Sequence, residues 1–200
     1  IILFTQHSVS TEFNDASTQI IPSLNAMVEL ANDGVQVICT YPNNDAGGRA
    51  IISELEKLDS KNIFGIQVHR SLGRYLYHGV LALAKNESNQ IACVGNSSSG
   101  IKETPVFGCP TVNIGSRQEG RLRGQNVIDV DYNASNIVAV VKKCFYDDEF
   151  RGQSTATNNP YYLGDAGKKI ADILTSIPLG KKIICKKMTL RGETKDGWYQ

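Results

Sequence analysis

Apolar and polar positions alternate along this chain between two kinds of segment. Short runs rich in branched residues recur at Ile1–Thr5, Val35–Thr40, Asn62–Val68, Ile91–Val94, Pro110–Ile114 and Val127–Val130. These suit strands, and the unbroken apolar character of 91–94 suits a strand buried on both faces. Longer segments lie between them. Residues 17–32 place Ile20, Ile21, Leu24, Met27, Val28 and Leu30 mostly three or four positions apart, which predicts a helix stopped at Gly34. A second helix is expected over 48–58, with Ile51, Ile52, Leu55 and Leu58 on one face. Ser71 can cap a third, running to about Lys85. The small-residue loop Gly95–Gly100 should open a fourth, and 133–146 forms another.

Strand–helix alternation at this spacing implies βαβ units. The predicted fold class is α/β: a Rossmann-like parallel sheet with helices on both faces. The alternation ends near Asp147, which divides the chain into a Rossmann-like domain over 1–147 and a closing segment over 148–200. Within that segment, 151–163 read as polar loop, 164–176 as a last helix and Lys181–Lys187 as a basic tail. A chain that opens inside a strand without Met reads as an excised piece of a longer protein.

Composition narrows the function classes. Of 200 residues, 41% are apolar and 20% charged, with a net charge of +1. That balance is globular and argues against nucleic acid as the main partner. No apolar run is long enough to span a membrane, and the first residues lack the marks of a signal peptide. A cytoplasmic location is therefore expected. The five cysteines, Cys39, Cys93, Cys109, Cys144 and Cys185, are scattered singly, as buried reduced thiols are. With three dispersed histidines and no cysteine pair, no metal site is expected. Sequons at Asn86, Asn96 and Asn133 carry little meaning without a secretory signal.

In a parallel sheet of this kind, ligands sit beyond the carboxyl ends of the strands. Four polar loops fall there: His7–Glu12, Pro42–Gly48, Asn96–Gly100 and Gly115–Arg121. Gly95-Asn96-Ser97-Ser98-Ser99-Gly100 combines close backbone approach, hydroxyls and a following helix N-terminus, an anion cradle worth roughly 0.3–2 kcal/mol per charge from the dipole. The same loop also reads as a plain serine cap. Neither common nucleotide fingerprint is present. Arg117 and Arg121 can meet phosphate, or belong to a solvated loop. Glu103, about a turn into the expected helix, can accept a ribose diol or simply favour the helix start. His7 is placed to donate to a diphosphate or to move protons. His69 and His78 read as structural or surface residues.

Taken together, Thr5–Glu12, Tyr41–Gly47, Val94–Glu103 and Phe107–Arg121 resemble the hydrolysing UDP-N-acetylglucosamine 2-epimerases of sialic and legionaminic acid biosynthesis. The likeness runs over about residues 1–175 and covers only the second half of such an enzyme. It implies one half of a glycosyltransferase-B type two-domain enzyme, with a UDP-sugar between the halves and no cofactor. It carries His7 over as a catalytic diphosphate contact and Asn43 as a nucleotide-side contact. It likewise makes Ser97 and Ser98 phosphate binders, Glu103 the ribose-diol acceptor and Arg117 a substrate contact. The family's catalytic carboxylates look to lie mainly on the missing N-terminal domain, so the isolated piece is expected to be inactive. Homo-oligomerisation is compatible with this reading. The chain departs from the family in His7-Ser8 where His-Pro is frequent, and in Gly164-Asp165-Ala166 where Gly-Asp-Gly recurs. Two alternatives stand beside it: a UDP-sugar-dependent glycosyltransferase of the same fold, and a non-catalytic nucleotide-binding regulatory domain.

Overall fold

The computed structural model describes residues 1–162, 164–181, 194–195 and 198–199. The basic tail from 182 onward and Cys185 lie outside the described residues. The chain divides into two compact units, Ile1–Tyr162 and Leu163–Gln200.

The first unit is built on six parallel strands: β1 (Ile2–Thr5), β2 (Val37–Thr40), β3 (Ile66–His69), β4 (Ala92–Gly95), β5 (Thr111–Ile114) and β6 (Val127–Val130). Their order across the sheet is β3-β2-β1-β4-β5-β6. Leu3 faces Ile38 on one side and Cys93 on the other, so β1 and β4 lie at the centre. This is the Rossmann-like arrangement, in which the chain reverses direction of growth between β1 and β4.

The strand pleat explains the two-sided core. Ile2, Phe4, Ala92 and Val94 point to one face, beneath α1 (Ala16–Asn32), α2 (Gly48–Asp59) and α6 (Ala134–Tyr146). Leu3, Ile91 and Cys93 point to the other, beneath Leu81 of α3 (Gly73–Ala82) and Phe107 of α5 (Thr104–Phe107). Successive side chains alternate faces, so an uninterrupted apolar run is what a doubly covered strand requires. Cys39, Cys93, Cys109 and Cys144 are buried free thiols, and burial pushes Cys39, Cys93 and Cys144 up to about 12. Such thiols pack as small hydrophobes.

Three elements differ from the sequence expectation. The strand expected from Asn62 begins at Ile66, because Asn62 adopts a left-handed turn conformation (φ 47°). The helix after the serine loop is a single turn, α4 (Ser99–Lys102), followed by the separate α5. Pro105 is the reason: it has no N–H to continue the ladder and constrains the residue before it. Finally, 151–163 are not all loop. Helix α7 (Asp148–Thr155) opens on Asp147, whose Oδ1 accepts from the Phe150 N–H at 2.9 Å. Phe150 and Ser154 are buried, and α7 packs against α5 and α6. Where the sequence reading closes the Rossmann-like part at 147, these contacts carry the compact unit on to Tyr162.

The second unit holds α8 (Ala166–Ser176) and a short antiparallel pair, Thr194–Lys195 with Trp198–Tyr199. No helix of the described residues is long and apolar enough to cross a membrane.

Candidate functional site

The four polar loops converge at the carboxyl ends of the strands, and a buried asparagine ties three of them together. Asn96 follows β4. Its Oδ1 accepts from the His7 N–H at 2.6 Å and its Nδ2 donates to the His7 carbonyl at 2.8 Å. Its own carbonyl accepts from Arg117 Nη1 at 3.1 Å and Gln118 Nε2 at 2.7 Å. The preceding Gly95 is required for this closeness. At φ 128°, a Cβ there would stand 2.0 Å from the Thr5 carbonyl oxygen, inside any allowed contact. The sequence places Asn96 within a motif but gives no sign of this clamping role, which depends on loops far apart in the chain.

His7 is held at the centre of the group. Its Nδ1 accepts from the Asn43 backbone N–H at 2.9 Å. The ring proton therefore resides on Nε2, the nitrogen left to donate elsewhere. Burial, and then the neighbouring Arg117 guanidinium, lower the His7 pKa to about 4, against the opposing pull of Asp45. The ring is thus neutral near pH 7, a fixed N–H donor rather than a cation. Arg117 supplies the positive charge, with Asp45 Oδ2 3.5 Å from its Nη2. The Asn43 side chain is engaged within its own loop, donating to Asp45 Oδ2 at 2.7 Å. His7, Asn43 and Arg117, predicted separately, form one cluster.

Ser97 and Ser98 lie at the opening of α4. Ser97 Oγ accepts from the Ser99 N–H at 3.3 Å, and the Ser98 hydroxyl caps no backbone group. With α4 only four residues long, any dipolar contribution is that of a single turn, smaller than a full helix would provide.

Glu103 stands at the junction of α4 and α5, away from the His7 cluster. It lines a cavity of about 540 Å³ that opens among the loops after β2, β3 and β4, bordered also by Thr40, Arg70, Arg74 and Tyr77. His78, expected to be a structural or surface residue, is tied into the fold: its Nε2 lies 2.8 Å from Glu103 Oε2. Ser99 Oγ donates to the same oxygen at 3.2 Å. The pairing joins α3 to the β4 loop across the cavity wall, and nothing in local sequence announces it. A second cavity of about 430 Å³ lies between the loops after β1 and β5, lined by Glu12, Ser116, Arg117 and Arg121. Glu12 is fixed there by Gln19 Nε2 at 2.7 Å and Ser116 Oγ at 3.3 Å. The edge thus offers a cavity that sets the Glu103 carboxylate among Arg70 and Arg74, a cluster carrying N–H and guanidinium donors, and a second mixed-charge cavity. A ligand with hydroxyls and an anionic centre suits that sequence of groups.

Known proteins share part of this sequence and its fold. The family model described as UDP-N-acetylglucosamine 2-epimerase matches residues 1–175. A protein of Neisseria meningitidis serogroup B named UDP-N-acetylglucosamine 2-epimerase is 33% identical over 76% of this chain and 39% of its own length. A Legionella pneumophila protein named UDP-N,N'-diacetylbacillosamine 2-epimerase (hydrolyzing) is 29% identical over 93% of this chain and 45% of its own. A crystal structure of a UDP-N-acetylglucosamine 2-epimerase homologue from Listeria monocytogenes shares the fold with a TM-score of 0.58 at 15% identity, over 88% of this chain and 44% of that one. The chain spans less than half the length of each of these relatives.

Proposed function

This chain belongs to the UDP-N-acetylglucosamine 2-epimerase family, and from that premise we propose that it is the UDP-binding half of a hydrolysing epimerase. The reaction would convert UDP-N-acetylglucosamine, or a related UDP-2-acetamido sugar, and water into UDP and the free 2-epimeric sugar. The names of the Legionella relative and of a Campylobacter jejuni relative, 35% identical over 66% of this chain, favour the hydrolysing form. A cytoplasmic place in sialic or legionaminic acid synthesis fits the same reading.

The observation that carries it is that the His7–Asn43–Arg117 cluster and the cavity that holds Glu103 are both built from loops at the carboxyl ends of one sheet. Glu103 would accept the ribose hydroxyls. Ser97, Ser98, Arg117 and the neutral His7 Nε2–H would meet the diphosphate. UDP leaves as the C1–O bond breaks and the C2 proton is removed, giving a glycal; water then adds to give the epimer. Negative charge grows on the departing diphosphate, so donors fixed before the reaction help most at the transition state. The base for C2 belongs to the other half of the enzyme. Calorimetry on this chain tests the reading: UDP should bind weakly but measurably, and free N-acetylglucosamine hardly at all. Tighter binding of the sugar than of UDP would overturn it.

A further inference from the structure

Resting on that reading, we propose that His78 is a positioning residue that makes this site select ribonucleotides over 2′-deoxyribonucleotides, by holding the Glu103 carboxylate in one orientation. The Glu103 side chain is 45% exposed. A carboxylate so open to solvent samples several rotamers, and a ligand that needs one of them must bear the entropic cost of selecting it. A vicinal diol is such a ligand, because its two O–H groups diverge at a fixed angle.

Glu103 is not left free. His78 Nε2 and Ser99 Oγ both converge on Oε2, at 2.8 and 3.2 Å. Oε1 accepts no hydrogen bond from the described residues, so one oxygen is anchored and its twin is available to a ligand in the cavity both residues line. The anchor is itself held from two sides. The His78 ring packs on Phe107, with centroids 5.3 Å apart, and meets Tyr77 edge-on at 6.4 Å. Phe107 closes α5, the helix that begins immediately after Glu103. Phe107 thus holds the His78 ring from the helix that follows Glu103. Because Nε2 faces a carboxylate oxygen, it must carry a proton to serve. Loss of this donor would leave the charge on Glu103 intact and remove its orientation.

The test compares UDP with 2′-deoxy-UDP by calorimetry on the whole chain. Wild type should prefer UDP by about 10-fold or more, the value of one hydroxyl donating to a charged acceptor. His78→Leu, which keeps bulk and removes the donor, should reduce that preference to about threefold or less. His78→Gln, whose amide N–H reaches about as far as Nε2, should retain most of it. In a Glu103→Gln background, His78→Leu should change the preference no further, since both act through one carboxylate. An unchanged preference in His78→Leu overturns the proposal even if both ligands bind more weakly, for that is what mere structural loosening would produce. A His78→Gln preference as low as that of His78→Leu overturns it as well. Failure of the wild type to bind UDP at all overturns the proposed function, and the role of His78 with it.

Discussion

At the residue scale, the site is assembled from groups whose properties come from their neighbours. A histidine with a pKa near 4 when folded, against about 6.5 when unfolded, takes up protons more readily in the unfolded chain across that interval. Its effect on stability is therefore absent above pH 6.5 and becomes a loss as pH falls toward 4, reaching on the order of 3 kcal/mol. Urea denaturation between pH 7 and 4 should show this loss in the wild type. His7→Asn, which keeps an acceptor but does not titrate, should lack that part of the slope. Gly95 gives a sharper effect. With a Cβ only 2.0 Å from the Thr5 carbonyl, Gly95→Ala must separate β1 from β4, at a cost of about 4 kcal/mol or more in the same measurement. The sequence reveals His7 and Arg117 as candidates because each lies in a polar loop after a strand, and Asn43 through the family resemblance. It conceals Asn96 and His78, whose partners are distant: Glu103 is 25 positions from His78, and His7 is 89 from Asn96.

At the scale of elements, hydrophobic periodicity is a sound guide wherever burial follows it. The segments 17–32, 48–58 and 127–130 match α1, α2 and β6 within a residue or so. It fails where polar contacts decide. Helix α7 has one large buried apolar residue, Phe150, and no stripe to betray it. What holds it is specific: the Asp147 cap, and Arg151, whose guanidinium donates to the carbonyls of Phe145 at 2.8 Å, Asn89 at 3.2 Å and Glu87. Three carbonyls satisfied by one half-buried side chain make α7 part of the sheet domain's support. A chain cut after Tyr162 should therefore unfold near the midpoint of the full chain. One cut after Asp147 should lose about 3 kcal/mol or more, since it exposes the surface under Phe150 and orphans those carbonyls. Equal midpoints for the two truncations in urea would show that α7 adds nothing. The break between α4 and α5 was legible in principle, because Pro105 marks it. The serine loop draws attention to the start of that segment rather than to its interruption.

At the scale of the whole molecule, strand–helix alternation suffices to predict the parallel sheet, and the observed order β3-β2-β1-β4-β5-β6 is one of the common doubly wound orders that such alternation builds. Substrate choice is less legible, because under the proposed function the groups on this edge serve a nucleotide more than a sugar. Asp45, Glu103 and Glu119 occupy three separate loops, and Asp45 and Glu103 are already paired with Arg117 and His78. Glu119 shares its cavity with Glu12, which Gln19 and Ser116 already hold, so in the proposed function the carboxylates for the chemistry at C2 come from the other half. The 200-residue chain should accordingly release no UDP from UDP-N-acetylglucosamine in a coupled assay, and turnover by this chain alone would contradict its placement as one half of the active site. In an enzyme that includes the other half, His7→Ala should lower kcat more than it raises KM. The clamp formed by Asn96 has one more consequence. It fastens His7 to the two innermost strands, whose amides lie where exchange with deuterium requires the entire sheet to open. Nucleotide affinity and global folding should then disappear together in rising denaturant, as a single cooperative event, with no weakened but still folded intermediate between them.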